Sequence, residues 1–328
     1  MRFTYLRYIS IFVKNMQAFF QKGNPLDEKY SPWYGYLMLI TVHGDFMDWK
    51  ELNPEAVRSL LPDRNPWGHK GTFGKILLLC GSRGFTGAAY LAAMGALRSG
   101  AGLTFLGVPE SIYAIEAVKL NEAVVFPLPD QDGKLASRAV PEFLKRLPQM
   151  DAVLVGCGLG QSEGTLSVVK AVLENANCPV VLDADGINVL VRHKDILRGR
   201  QYPTILTPHD GEFLRFGGTI GEDRMASAAR CAREWNCIVL LKGHETCITD
   251  GETGYRNRTG NPGMAVGGSG DVLAGIIVSL LGQGLPPLEA AACGAWLHGA
   301  AGDLCAKEIG QYGMLPTDML RALPRLLK

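Results

Sequence analysis

Ile76-Leu-Leu-Leu-Cys80-Gly-Ser-Arg-Gly-Phe-Thr-Gly-Ala-Ala-Tyr90 passes from an aliphatic run, through a glycine-rich turn, into a series of small residues. An uninterrupted apolar run of this length reads as a strand buried on both faces. The segment after the turn reads as a helix folding back onto the sheet. The alternation continues along the chain. Leu103-Thr-Phe-Leu-Gly-Val108, Ala152-Val-Leu-Val155, Val180-Val-Leu182, Thr204-Ile-Leu206 and Ile238-Val-Leu-Leu241 have the same strand character, and residues 87–99, 164–175 and 222–235 have helical spacing. Repeated βα order predicts an α/β fold: a mostly parallel central sheet with helices on both faces. Pro179 and Pro203 stand just before strands, where no ladder donor is required. Residues 246–258, with Asp250-Gly251 between two short runs, predict a β-hairpin at the sheet edge. Residues 271–280, 286–307 and 316–327 read as helices. With no internal repeat and no low-complexity linker, a single domain over residues 47–328 is the simplest division.

Composition narrows the function class. The chain has 328 residues, 47% hydrophobic and 20% charged, enough for a large core. A net charge of +1 gives no electrostatic case for nucleic acid or a membrane surface. The eight cysteines are scattered, mostly in apolar runs and never as a close CxxC pair, so they read as reduced core residues of a cytoplasmic protein. Residues 1–46 differ in character from the rest of the chain. Their apolar patches, 8–13 and 34–42, are too short to span a bilayer, and no small-residue cleavage site is evident. They read as a disordered or loosely docked extension, or as an upstream start ahead of Met47.

In a sheet of this kind, functional residues gather just past the carboxyl ends of the strands. The polar and glycine-rich segments fall there: Gly81-Ser-Arg-Gly-Phe-Thr-Gly87, Gly156-Cys-Gly-Leu-Gly160, Asp183-Ala-Asp-Gly-Ile-Asn188, Thr207-Pro-His-Asp-Gly-Glu212 and Lys242-Gly-His-Glu-Thr246. A sixth, Asn261-Pro-Gly-Met-Ala-Val-Gly-Gly-Ser-Gly-Asp271, opens an apolar helix. Gly267, Gly268 and Gly270 let main-chain N–H groups converge on an anion, at the positive end of that helix's dipole. Asp271, in the first turn, is placed to take a proton from a hydroxyl lying against this hole. Alone, the segment reads equally well as a glycine turn capped by an aspartate. Six such loops on one edge point to a composite phosphoryl-transfer site.

Residues 69–328 closely resemble the ADP- or ATP-dependent NAD(P)H-hydrate dehydratases of the ribokinase-like superfamily. The resemblance rests on Lys70-Gly-Thr-Phe-Gly-Lys75, Gly81-Ser82 with Gly87-Ala88-Ala89, Gly158-Leu-Gly160, Leu182-Asp-Ala-Asp-Gly-Ile-Asn188, Leu206-Thr-Pro-His209 with Gly211-Glu212, Lys242-Gly243 with Thr246, and Gly263-Met264 with Gly267-Gly-Ser-Gly-Asp271. Gly-Ser-Gly-Asp is shared with many ribokinase-like kinases. Thr-Pro-His combined with Asn-Pro-Gly-Met is more specific. One departure stands out: the family often has proline after the histidine, and this chain has Asp210.

The resemblance implies a ribokinase-like three-layer sandwich and a metabolite-repair lyase. Such an enzyme would use ADP, or ATP, with Mg2+ to dehydrate the S epimer of hydrated NADH or NADPH, releasing AMP and phosphate. Asp271 would be the catalytic base. Ala88, Gly158, His209 and Asp271 would touch the hydrated dinucleotide. Lys242, Gly243, His244, Glu245, Thr246 and Gly270 would bind nucleotide, and the amides around Gly268, Ser269 and Gly270 would form the anion hole. Asp183, Asp185 and Asn188 fit either water-mediated magnesium positioning or helix capping, so no metal ligand is assigned. A homotetramer is expected from the family. Some members carry an N-terminal epimerase domain that residues 1–46 are too short to encode, so a separate epimerase is the expected companion. The alternatives are a ribokinase-like kinase of a vitamin-precursor alcohol and a non-catalytic nucleotide-binding regulator. A Rossmann dehydrogenase fits less well, because Gly81-Ser-Arg-Gly-Phe-Thr-Gly87 is not GxGxxG.

Overall fold

The computed structural model describes residues 49–327, so the expectations for residues 1–46 lie outside the described residues. In chain order the strands are β1 (Trp49–Glu51), β2 (Lys75–Leu79), β3 (Leu103–Pro109), β4 (Val124–Leu128), β5 (Asp130–Gln131), β6 (Lys134–Leu135), β7 (Ala152–Val155), β8 (Val180–Leu182), β9 (Thr204–Leu206), β10 (Ile238–Leu241), β11 (Thr246–Thr249) and β12 (Gly254–Asn257). Ten of them form one sheet in the order β1-β12-β11-β10-β9-β8-β7-β2-β3-β4, and β5 pairs only with β6. Strands β2, β3, β4, β7, β8, β9 and β10 run parallel, and the β11–β12 hairpin is antiparallel. The expected strands and hairpin are present. The hairpin is not the outermost element, because β1 adds outside it, parallel to β12.

The helices are α1 (Pro54–Leu60), α2 (Thr86–Arg98), α3 (Glu110–Lys119), α4 (Val140–Leu144), α5 (Glu163–Asn175), α6 (Asp185–Asn188), α7 (Asp195–Arg198), α8 (Asp210–Arg215), α9 (Arg224–Trp235), α10 (Ser269–Gly282), α11 (Pro287–Ile309) and α12 (Pro316–Ala322). Side-chain alternation along the strands divides the core into two layers. Ile76 and Leu78 pack with residues of α2, α10 and α11, whereas Leu77 and Leu79 pack with residues of α5 and α9. This is why the strands read as unbroken apolar runs: neither face meets water.

α2 and α10 cross unusually closely. A Cβ on Gly275 would fall 2.2 Å from the Ala92 carbonyl oxygen, so only glycine permits this approach. The crossing fixes the start of α10 relative to the loop that opens α2. All eight cysteines are buried and free, as their apolar contexts implied. The alanine-rich stretch of α11 is buried inside the fold against α10: a Cβ on Gly294 would lie 2.6 Å from Ile277 Cγ1. Among the described residues, no helix is long and apolar enough to cross a membrane.

Candidate active site

Asp271 is the third residue of α10, behind Gly268 (φ +97°), which turns the chain into the helix without a Cβ penalty. The first N–H groups of a helix have no carbonyl within the helix to meet. That of Ser269 donates instead to the Val266 carbonyl at 3.3 Å, and Gly270 follows it in the first turn. A Cβ there would stand 3.4 Å from Lys242 Nζ and 4.0 Å from Asp183 Oδ2, so the α10 start, Lys242 and Asp183 line one small hollow. No side chain intrudes at Gly267, where a Cβ would meet nothing within 4 Å.

Asp183, buried at the end of β8, is the hub of this hollow. Its Oδ1 accepts from Thr207 Oγ1 at 2.6 Å and from Lys242 Nζ at 3.0 Å, and its Oδ2 accepts from the Cys157 thiol at 3.5 Å. Lys242 Nζ also lies 3.8 Å from Glu212 Oε2. Burial by itself disfavours the ammonium. Asp183 and Glu212 outweigh that and hold it charged, above its ordinary range. Asp271 responds in the opposite sense. Burial and then the Asp183 charge push its carboxyl up to about 7, with partial compensation from a Cys157 hydrogen bond and from Lys242. A carboxylate that exchanges a proton near neutrality is suited to general-base work.

Three further loops carry the remaining candidate residues. Gly158 (φ +64°) has no room for a side chain, because a Cβ would sit 2.7 Å from Ala88 Cβ and 3.0 Å from Phe85 Cβ. Ala88 and Gly158 therefore form one continuous floor, closed further by the Ser82 hydroxyl donating to the Gly158 carbonyl at 2.7 Å. His209 caps α8. Its Nδ1 accepts from the N–H groups of Gly211 at 3.0 Å and Glu212 at 3.3 Å, and Glu212 Oε2 accepts the His209 N–H at 2.9 Å. With Nδ1 used as an acceptor, the half-exposed ring carries its hydrogen on Nε2.

The Lys242 loop is more varied than its sequence implied. Lys242 points into the hollow. Gly243 and His244 are exposed, and Thr246 Oγ1 closes the turn onto Gly243. Glu245 turns away, pairing with Arg256 at 3.7 Å and Arg258 at 3.4 Å. Asp210 meets Arg224 at 2.5 Å, and Arg224 donates to the Lys242 carbonyl at 2.6 Å. The departure at Asp210 thus ties the His209 loop to the Lys242 loop.

Asp185 and Asn188 make local contacts. Asp185 accepts from the Gly160 N–H at 2.8 Å, and Asn188 is bonded to Arg215. Ala184 between them and Asp183 has φ +47°, a strained conformation for a residue with a Cβ. Cys157, Asp183 and Asp271 bring one possible ligand atom each within 4.8 Å of one another. The Cys157 thiol is held well above its usual range, first by its hydrogen bond with Cys80 and then by burial, so it is not a hard-cation ligand. The donor set suits magnesium only as a carboxylate or two beside phosphate and water oxygens. The sequence reading included Cys157 and Thr207 in their motifs without giving either a role, and did not mention Arg224 or His298. Cys157, Thr207 and Arg224 lie near element ends, a signal shared with ordinary capping residues, and His298 lies mid-helix, where its sequence context gives none.

The fold, with its cluster of polar residues at the strand ends, is that of a ribokinase-like α/β protein. The chain belongs to the NAD(P)H-hydrate dehydratase family, whose model matches residues 76–325. It is 37% identical to the ADP-dependent (S)-NAD(P)H-hydrate dehydratase of Bacillus subtilis over 84% of this chain and 96% of that one. It is 47% identical to the bifunctional NAD(P)H-hydrate repair enzyme of Moorella thermoacetica over 83% of this chain, but spans only 52% of that longer protein. The crystal structure of the Bacillus subtilis ADP/ATP-dependent enzyme, co-crystallized with ATP and Mg2+, superposes with a TM-score of 0.73 at 33% identity, covering 85% of this chain and 98% of that one.

Proposed function

We propose that this protein dehydrates the S epimer of hydrated NADH or NADPH, with ADP as phosphoryl donor, returning the reduced cofactor and releasing AMP and phosphate. The observation that carries the reading is the raised Asp271 carboxyl beside Lys242 at the start of α10. Hydroxide is a poor leaving group near neutrality, so the ring hydroxyl has to be converted before it departs. Asp271 takes the hydroxyl proton, the ring oxygen forms a bond to the terminal phosphorus of ADP, and the bond from that phosphorus to the bridging oxygen breaks, leaving AMP. The C–O bond then breaks with its electron pair leaving on phosphate. A proton is lost from the neighbouring ring carbon, which restores the double bond.

The N–H groups around Gly268, Ser269 and Gly270 stabilise the charge on the transferring group, with Lys242 beside them. Gly243, His244 and Thr246 complete the nucleotide loop, with Glu245 anchoring its far side. Ala88, Gly158 and His209 hold the hydrated dinucleotide. Magnesium is expected on the nucleotide phosphates, with Asp183 or Asp271 the nearest carboxylates. The same reading takes residues 47–328 as the catalytic domain, the protein as a cytoplasmic homotetramer, and epimerisation as the work of a separate protein.

The competing reading is a kinase acting on a vitamin-precursor alcohol, using the same hollow and base. Product analysis separates the two. A dehydratase yields free phosphate and AMP in equal amounts, whereas a kinase accumulates a phosphorylated alcohol without phosphate release. Accumulation of a stable phosphorylated product would overturn the proposal.

A further inference from the structure

His298 is the polar exception on a helix face that is otherwise apolar and small. Ala291, Ala292, Leu297 and Ala301 around it on α11 are fully buried, and His298 itself is 9% exposed. Its Nε2 lies 2.8 Å from the Ser269 carbonyl oxygen and 3.2 Å from Ser269 Oγ. A carbonyl oxygen only accepts, so the nitrogen facing it carries the hydrogen, which fixes the tautomer. Burial pushes the imidazole down to about 4, so the ring is neutral and Nε2–H is its donor on this side. A nitrogen bearing a hydrogen has no lone pair to offer. The Ser269 hydroxyl therefore faces His298 as an acceptor, and its own hydrogen points elsewhere.

A serine inside a helix usually donates back to a carbonyl one turn earlier. Ser269 is the first residue of α10, so no earlier turn of that helix exists. The next residue along the helix, Gly270, borders Lys242 and Asp183. We infer that His298 is a positioning residue that turns the Ser269 hydroxyl into a side-chain donor for a phosphoryl group of the nucleotide, in addition to the main-chain donors of the hole. This rests on the nucleotide-dependent reading above, and names the group through which α11 acts on the site.

The test is a double-mutant cycle on the full-length protein, read by ADP affinity in calorimetry and by kcat. A hydrogen bond to a charged group gives about a tenfold effect, so Ser269→Ala should weaken ADP binding roughly tenfold and lower kcat further. His298→Leu should match Ser269→Ala, and the double variant should be no worse than either. His298→Gln, whose amide can donate to the Ser269 carbonyl, should recover most of the loss. Unchanged ADP affinity and kcat in Ser269→Ala would overturn the inference, as would His298 and Ser269 effects that simply add. If His298→Leu does not fold, Ser269→Ala and His298→Gln still decide the matter. A wild-type protein that binds ADP with this pattern but restores no reduced cofactor would sink the dehydratase reading and leave the inference standing.

Discussion

Asp183 Oδ1 and Lys242 Nζ lie 3.0 Å apart at the ends of β8 and β10, and the same carboxylate raises the pKa of Asp271 on α10. That buried negative charge thus helps to keep a buried lysine charged, and adds to the burial that keeps the Asp271 carboxyl protonated to unusually high pH. Asp183→Asn removes that repulsion, which lowers the Asp271 pKa. The acid limb of the pH–kcat profile should move to lower pH. A limb that stays in place would separate Asp183 from the base.

Asp271→Asn keeps the shape of the side chain and removes the proton acceptor. Turnover should fall by about a hundredfold or more while ADP still binds. Near wild-type turnover would remove Asp271 from the chemistry.

The same substitution has a stability signature with a defined sign. Folded Asp271 holds its proton up to about pH 7, against 3.8 for the ordinary carboxyl. Between those values the folded state binds more protons than the unfolded state, so the wild type loses stability as pH rises through the window. Thermal melts above pH 7 should therefore show Asp271→Asn to be more stable than wild type, with the advantage disappearing below pH 3.8. A variant less stable than wild type above pH 7 would mean that Asp271 is held by favourable contacts rather than by burial.

His209 combines two tasks that can be pulled apart. His209→Ala should raise KM for the hydrated dinucleotide and also lose the α8 cap, costing about 1 kcal/mol of stability. His209→Asn retains a capping oxygen and loses the Nε2–H, which lies 3.6 Å from Glu212 Oε1, so it should raise the same KM with little change in Tm. Equal destabilisation in both variants would show that the ring, not the cap, supports the fold.

Much of this was legible in the sequence because the strands are buried on both faces. Runs such as Ile76-Leu-Leu-Leu-Cys80 and Ala152-Val-Leu-Val155 allow little else, and the glycine and aspartate clusters after them fell on one edge as expected. β4 was missed because Pro127 interrupts it, a residue the sheet tolerates there only because β4 is an edge strand. α3 was missed in part because Glu116, fully buried and paired with Lys119 at 3.2 Å, breaks its apolar pattern. Within the site, spacing placed Asp271 in the first turn of its helix. It gave no sign that Asp183 would face Lys242 or that His298 would reach Ser269, since these contacts join residues 59 and 29 positions apart.

Arg224 provides a graded test of the nucleotide loop. It donates to the Lys242 carbonyl from beneath, so Arg224→Ala should raise KM for ADP by about tenfold through loss of a charge-assisted hydrogen bond. Asp210 holds Arg224 from a side chain that is 56% exposed, and exposed ion pairs contribute only about 0–1 kcal/mol, so Asp210→Ala should change the same KM by less than about fivefold. The reverse ranking would contradict the coupling of the two loops through Arg224.

The most direct measurement is the recovery of reduced-nicotinamide absorbance when the purified full-length protein is given S-configured hydrated NADH or NADPH, magnesium and ADP. Absorbance should return only when nucleotide is present, with one AMP and one phosphate formed for each cofactor restored, and Asp271→Asn should abolish the signal. Nucleotide consumption without recovery of the reduced cofactor, or recovery that proceeds equally well with Asp271→Asn, would contradict a dehydration that begins with phosphoryl transfer at this hollow.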